Sequence, residues 1–467
     1  MKNLVVVGSN AKSWAIGIEI ANSLVQNGKT VHLLDVSNFD SRRPISYNRR
    51  KFQKVFCKKL DISVQKLPFR YGFSLKLFKN SRIPDSMYEL ENYEIFGTPF
   101  GGIIKSYLSA LYGSNDFSME SIEKSDFHKL IRLLKYFFLA FQKYLENSIN
   151  EFDCVYVFNG RLPIDSTILM EFKRKGKSTR IYERASSSNR YEIYDYSPHT
   201  NSEWWDKIED FQKKVNSRDL LIDIEEVNAY KKQKSSGFDP LQKVKWRNFM
   251  DSNLSSIEIQ KPYVVFYSVS TGEVSPFREF ESVGGFSNQF IALDCLLEQS
   301  KSLGLTTVVR RHPNSLGKDG EDREFLLWDK YRNNDDIKYF GPKSRIDSYG
   351  VALNAIACFT WRSTIGFDTL CLRIPSYSLG PSKWAFDPSV RAWDANSILL
   401  ALKKPTLAKE EIVLTYASYM SHFGTRCKIF KEIERWGFTT INNVRFYNLF
   451  LQRTFEKIKN LMPNLSN

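Results

Sequence analysis

An α/β fold of two doubly wound, Rossmann-like parallel-sheet domains is predicted for this 467-residue chain, and three observations predict it. Short apolar runs of strand length alternate with amphipathic stretches of helical length, which is the signature of βαβ units. The alternation runs twice, with a polar, lysine-rich stretch between the two series. The length is also too great for one ordinary core at about 100–200 residues per domain.

In the first series, LVVVG at 4–8 reads as a buried parallel strand, a polar loop spans 9–13 and a helix covers 14–26. Asn27-Gly28 ends that helix, and VHLLD at 31–35 is the next strand. Residues 40–120, rich in Phe and Tyr, show no clear period. A long helix is expected over about 119–149, because Ile122, Leu130, Leu133, Leu134, Phe137, Phe138 and Phe141 recur at helical spacing. CVYVF at 154–158 is a strand followed by the turn Asn159-Gly160-Arg161. Pro163 then opens a helix over 164–175, and TRIYE at 179–183 is a further strand. The polar segment from about 200 to 258 is expected to be helical, with a junction near 255–260.

The second series has strands at 263–269, 306–312, 337–340, 355–360 and 374–378. Helices are expected at 287–303, 321–333, 345–352 and 364–372. The domains are drawn as 1–255, 256–420 and a helical tail at 421–467 that could cross back to the first domain. Within the tail, 444–458 mixes Phe446, Leu449, Phe450 and Ile458 with Arg445, Arg453 and Lys457, which suits a packed terminal helix or a membrane-surface helix.

Composition narrows the function classes. At 42% hydrophobic and 25% charged the chain is globular, and the net charge of +15 favours anionic partners. The basic stretches, 42–82 and 425–461, read as solvated faces or as a peripheral contact with a membrane surface. No RRM, zinc-finger or basic-zipper module is present, so nucleic acid is not an expected partner. Six cysteines without CxxC spacing indicate neither zinc nor a disulfide framework. His32, His128, His199 and His422 lack metal-ligand spacing, and no metal or other cofactor is expected. The N-terminus has no apolar leader and no run of about 18 apolar residues occurs, so a cytoplasmic protein is expected. Asp35 closes the second strand as in a dinucleotide site, but only Gly8 and Gly17 are present where G-x-G-x-x-G is required.

The strongest chemical signal is Arg310-Arg311-His312-Pro313 at the carboxyl end of a strand. Two guanidiniums and an imidazole form a donor-rich site suited to phosphate, and Pro313 restricts the backbone of His312. A basic loop without a ligand is the competing reading. About fifty residues on, Trp361-Arg362-Ser363-Thr364-Ile365-Gly366 follows a strand and opens a helix. Ser363 and Thr364 could cap that helix and its first N–H groups could hold an anion, or the segment is an ordinary N-cap.

Taken in order, these motifs resemble the bacterial capsule polysaccharide biosynthesis proteins, related to the capsule Kdo transferases that use CMP-Kdo. That family has R-x-H-P after a strand, here Arg310, His312 and Pro313, and an S-T-x-G turn, here Ser363, Thr364 and Gly366. SVSTGE at 268–273 is similar to its S-x-x-x-E loop and brings in Ser268, Ser270 and Glu273; Gln289 also fits. Asn159, Gly160 and Arg161 match an N-G-R turn, and Tyr182-Glu183 a Tyr-Glu pair. The resemblance covers about 150–385. Asp368 and Thr369 stand where the family has Glu and Ala, and Arg184 where it has Gly.

The resemblance implies a GT-B-like glycosyltransferase, two such domains facing a cleft, that transfers a sugar without a metal. The donor would be a nucleotide-sugar, CMP- or UDP/GDP-linked, acting as co-substrate. The acceptor would be a glycan or lipid-linked glycan on the inner face of the plasma membrane. Arg310, Arg311, His312, Pro313, Ser268, Ser270, Ser363, Thr364, Gly366 and Asp368 would hold the nucleotide, and Asn159 and Arg161 the substrate. Glu183, Glu273 and His312 are the catalytic candidates. A polyol-phosphate transferase of the teichoic-acid type and a non-catalytic assembly protein of the same fold are the alternatives.

Overall fold

The computed structural model describes residues 2–8, 10–39, 57–58, 60, 62–67, 82–112, 119, 122–195, 198, 201–239, 244–245, 259, 262–269, 284–316, 322, 324–433, 437–440 and 445–447. The chain divides into two compact units. One is Met1–Tyr107, Ser118–Pro198 and Phe423–Asn467; the other is Leu108–Phe117 and His199–His422.

The first unit is built on β1 (Lys2–Val7), α1 (Ala11–Gln26), β2 (Thr30–Asp35), β3 (Ser63–Lys66), α2 (Lys124–Ser148), β4 (Cys154–Phe158), α3 (Pro163–Arg174), β5 (Ser178–Arg184) and β6 (Arg190–Tyr194). Its strands run β6-β5-β4-β1-β2-β3, with β1 to β5 mutually parallel where they pair and β6 antiparallel to β5. The near-continuous apolar character of β1 follows from burial on both faces. Val5 and Val7 pack with Trp14, Ile16 and Ile20 of α1, whereas Leu4 and Val6 pack with Phe137, Phe141 and Leu145 of α2. The apolar helical spacing read over 119–149 thus becomes the α2 face, which starts at Lys124. Asn10 caps α1, its side chain accepting from the N–H groups of Lys12 at 2.7 Å and Ser13 at 3.1 Å.

In the second unit come α4 (Asn201–Asn216), α5 (Ile224–Ser235), β7 (Tyr263–Tyr267), α6 (Gln289–Ser302), β8 (Thr306–Arg310), β9 (Ile337–Phe340), α7 (Ser348–Leu353), β10 (Cys358–Thr360), α8 (Ile365–Cys371), β11 (Ser376–Ser378), α9 (Ala395–Lys403) and α10 (Glu410–His422). The five strands are all parallel, in the order β9-β8-β7-β10-β11. The chain builds outward from β7 in one direction and then returns to its other side. That reversal places a switch point between the carboxyl ends of β7 and β10.

Several boundaries differ from the sequence expectation. The domain division at 255 moves, because α4 and α5 group with the second unit. Their aromatic residues find partners there: Trp204 and Phe211 lie 5.7 and 5.4 Å from Tyr419, and Tyr230 lies 6.4 Å from Phe367. The helix expected over 321–333 is, in its described part, a short 3-10 turn at Leu326–Trp328 followed by Asp329–Arg332. The chain after 422 returns to the first unit, with β12 (Thr425–Arg426) antiparallel to β6. Beyond it, β13 (Phe430–Ile433), β14 (Gly437–Thr440) and β15 (Arg445–Tyr447) form an antiparallel sheet. The helix expected over 444–458 is therefore a strand at 445–447, and its remainder lies outside the described residues. In that sheet Phe446 is in register with Phe438.

Glu19 of α1 fixes this return. It is buried, and its carboxylate accepts from the backbone N–H groups of Lys428 (3.0 Å), Ile429 (2.6 Å) and Phe430 (2.8 Å). Burial raises its pKa above the ordinary glutamate value, against the pull of those three donors. Among the described residues no helix is long and apolar enough to cross a membrane.

Candidate functional site

A pocket opens at the carboxyl ends of β7, β8 and β10, at the switch point of the second unit's sheet. Ser268, Arg310, Arg311, His312, Pro313, Ser363, Thr364 and Asp368, all singled out in the sequence, line it. Tyr267, Ser348, Tyr349 and Ile365 complete its wall. Elements far apart in sequence therefore converge on one small volume, because parallel strands deliver all their following loops to the same edge.

The two arginines do different work. Arg310 is the last residue of β8, and its guanidinium is held entirely by neutral acceptors. Nε donates to Ser348 Oγ (3.1 Å), Nη1 to the carbonyls of Arg311 (2.9 Å) and Gly341 (2.8 Å), and Nη2 to that of Ser344 (3.1 Å). Burial of this charge lowers its pKa to about 10. A buried cation held by dipoles alone leaves positive potential at the pocket wall.

Arg311, next along, turns its guanidinium into a buried ionic cluster instead. It pairs with Asp322 at 2.8 and 3.1 Å and with Glu324 at 2.9 Å, and lies 4.6 Å from the Trp328 ring centroid. The sequence offered Arg310 or Arg311 to a ligand phosphate, and in this structure the Arg311 guanidinium is taken up by carboxylates. Consecutive residues leaving a strand point to opposite faces, and Arg311 meets carboxylates on its side.

His312 is positioned through its backbone, its N–H donating to Ser268 Oγ at 2.8 Å. Pro313 opens a 3-10 turn, Pro313–Ser315, that closes with Ser315 N–H on the His312 carbonyl at 3.1 Å. Thr360 Oγ1 accepts from Ser363 N–H at 2.9 Å and shapes the opposite wall. Thr364 occupies the N-cap position of α8 but makes no side-chain capping bond, so the expected cap is not formed. Gly366 is required for packing. A Cβ there would lie 2.2 Å from Trp384 Cζ2, and the Trp384 indole N–H donates to the Ser363 carbonyl at 3.0 Å.

Asp368 is buried at the wall, where it accepts from the Tyr349 hydroxyl at 2.8 Å and pairs with Lys234 Nζ of α5 at 2.9 Å. Lys234, Ser348 and Tyr349 were not apparent from the sequence. The loop after the 337–340 strand matches none of the motifs above, yet it belongs to the same sheet edge as the others. That topological position is the signal that could have found Ser348 and Tyr349.

Asn159, Arg161 and Glu183 lie in the first unit, where the loops after β4 and β5 leave the sheet. Asn159 and Gly160 both adopt left-handed backbone, at φ 62° and 71°. Asn159 Nδ2 donates to Glu183 Oε2 at 2.7 Å, and the Arg184 N–H to Glu183 Oε1 at 3.1 Å. The N-G-R turn and the Tyr-Glu pair are thus joined by a direct bond, with Tyr182 buried and donating to the Val6 carbonyl at 2.6 Å. Ser270 and Glu273 lie outside the described residues.

No family model and no curated protein matches the chain. Among solved structures it is similar to a β-Kdo 2,4-transferase, KpsC, of Thermosulfurimonas dismutans, with 9% identity, 57% of this chain and 79% of that one covered, and a TM-score of 0.34. It is also similar to the UDP-GlcNAc 2-epimerase of Neisseria meningitidis bound to UDP-GlcNAc, with 12% identity, 90% and 97% covered, and a TM-score of 0.30. A third is the glycosyltransferase SsfS6 of a Streptomyces species complexed with thymidine diphosphate, with 10% identity, 90% and 95% covered, and a TM-score of 0.25. Likenesses this distant do not decide its chemistry, which rests on the pocket's own residues.

Proposed function

We propose that the chain is a glycosyltransferase of the GT-B type, moving a sugar from a nucleotide-sugar donor to a growing surface or capsular glycan. One observation carries the reading: a pocket at the switch point of a parallel sheet is lined by His312, Ser268, Ser363, Thr364 and the uncompensated Arg310 guanidinium. Departure of a nucleotide from the anomeric carbon builds negative charge on its phosphate, and preorganised donors in a water-poor site meet that charge. His312 and the hydroxyls supply those donors, and Arg310 supplies the field behind them. The reading draws on no metal.

Glu183, held by Asn159, and Glu273 are the carboxylates assigned to the anomeric centre or the acceptor hydroxyl. Asn159 and Arg161 are assigned to the acceptor sugar. The acceptor is lipid-linked in this account, with the basic surfaces resting on the inner face of the membrane.

The test is product mass after incubation with CMP-, UDP- and GDP-linked sugars and a lipid-linked glycan primer. Gain of one sugar without phosphate, abolished by His312→Ala, is the expected result. A phosphodiester product would identify polyol-phosphate transfer instead. No product and no nucleotide binding by folded protein would leave a non-catalytic assembly role.

A further inference from the structure

Two hydroxyls in the pocket are bonded on their acceptor side only. A guanidinium has no acceptor, so in the 3.1 Å contact Arg310 Nε–H donates and Ser348 Oγ accepts. In the same way the His312 N–H donates to Ser268 Oγ at 2.8 Å. Among the described residues neither hydroxyl proton meets an acceptor, although Ser348 is 4% and Ser268 1% exposed. Buried hydroxyls are ordinarily satisfied on both sides, so each proton is placed to meet an acceptor bound in the pocket. Both residues line the pocket, on loops that follow different strands.

Ser348 is held rigidly for this purpose. The Tyr267 hydroxyl donates to its backbone carbonyl at 2.6 Å, and Asp347 takes the Tyr349 N–H at 3.0 Å. We propose that Ser348 is a ligand-binding residue, which together with Ser268 donates to the phosphate of the nucleotide donor, and that Arg310 is a positioning residue aiming the Ser348 proton. This rests on the nucleotide-sugar reading above and departs from a site in which arginines grip the phosphate directly. A phosphoryl group is the fitting ligand: its oxygens accept without donating, and several of them fan out to meet donors from two loops.

The experiment compares wild type with Ser348→Ala and Ser268→Ala. Ligands are inorganic phosphate, the nucleotides CMP, UDP and GDP, and the nucleosides cytidine, uridine and guanosine. Melting without ligand reports folding of each variant, and Ser268→Ala carries the test if Ser348→Ala does not fold. Loss of one hydrogen bond to a charged group should weaken nucleotide binding roughly 10- to 100-fold. Stabilisation by inorganic phosphate should disappear, while nucleoside affinity stays within about twofold.

Equal nucleotide affinity in wild type and Ser348→Ala would overturn the proposal while leaving the nucleotide-sugar reading intact. Equal losses for nucleosides and nucleotides would also overturn it, since that pattern reports packing rather than a phosphate contact. Ser348-dependent phosphate binding with no nucleotide binding would uphold the subsite and remove the nucleotide-sugar reading. Binding of neither phosphate nor nucleotide by wild type would overturn both.

Discussion

Arg311→Met should lower the melting temperature of the second unit by about 10 °C and leave nucleotide binding by the remaining folded protein close to normal. Arg311 is fully buried, and its guanidinium is shared between Asp322 and Glu324, the latter also fully buried. Removing one partner of a buried ion pair strands the other charge and costs about 3–5 kcal/mol. In a unit of this size each kcal/mol moves the midpoint by about 2–4 °C. Arg311→Lys should also destabilise, because an ammonium cannot reproduce the fork that reaches both carboxylates. Thermal unfolding followed by circular dichroism checks the stability, and titration with nucleotide checks the site. An unchanged midpoint with lost binding would return Arg311 to the ligand.

Glu19→Ala should also destabilise the first unit. The N–H groups of Lys428, Ile429 and Phe430 would lose their acceptor together, and that of Phe430 is buried. At about 1–3 kcal/mol for an unsatisfied buried group, and less for the two part-exposed ones, the loss is ~2–3 kcal/mol. Amide exchange at 428–430 should accelerate first, since those donors tie the returning chain to α1. The pH dependence has a definite sign. Burial raises the folded pKa of Glu19 above its unfolded value, so this group's protonation contributes stability at low pH that is lost as pH rises through the folded pKa. The advantage of wild type over Glu19→Ala should therefore grow as pH falls through the raised folded pKa toward the ordinary glutamate value. A difference that shrinks on acidification would contradict this.

What could be read from the sequence, and what could not, follows from where each signal resides. The strands of both parallel sheets declared themselves through continuous apolar runs, because burial on two faces leaves no polar alternation to confuse them. The convergence of Arg310, His312, Ser363 and Asp368 followed from topology, since Arg310 ends a strand and the others follow strands of the same parallel sheet. The orientation of adjacent side chains was not legible. Arg310 and Arg311 are alike in sequence, and only the presence of Asp322 and Glu324 on one side separates the structural guanidinium from the one at the pocket. Ser348 and Lys234 carry no motif; their meaning depends on Arg310 and Asp368 lying beside them in space. The strands after 422 were missed because they are short and depend on partners far away, β6 and Glu19, that no local window contains.

The claim that the second unit binds a nucleotide by its phosphate at the switch-point pocket is tested most directly by hydrogen–deuterium exchange. Wild type would be measured with and without saturating CMP, UDP and GDP in turn. Slowed exchange confined to 267–269, 310–316, 346–350 and 361–366 with one of these nucleotides, abolished by His312→Ala, is the predicted result. Protection mapping instead to the loops after β4 and β5 of the first unit, or no protection with any of the three, would contradict it.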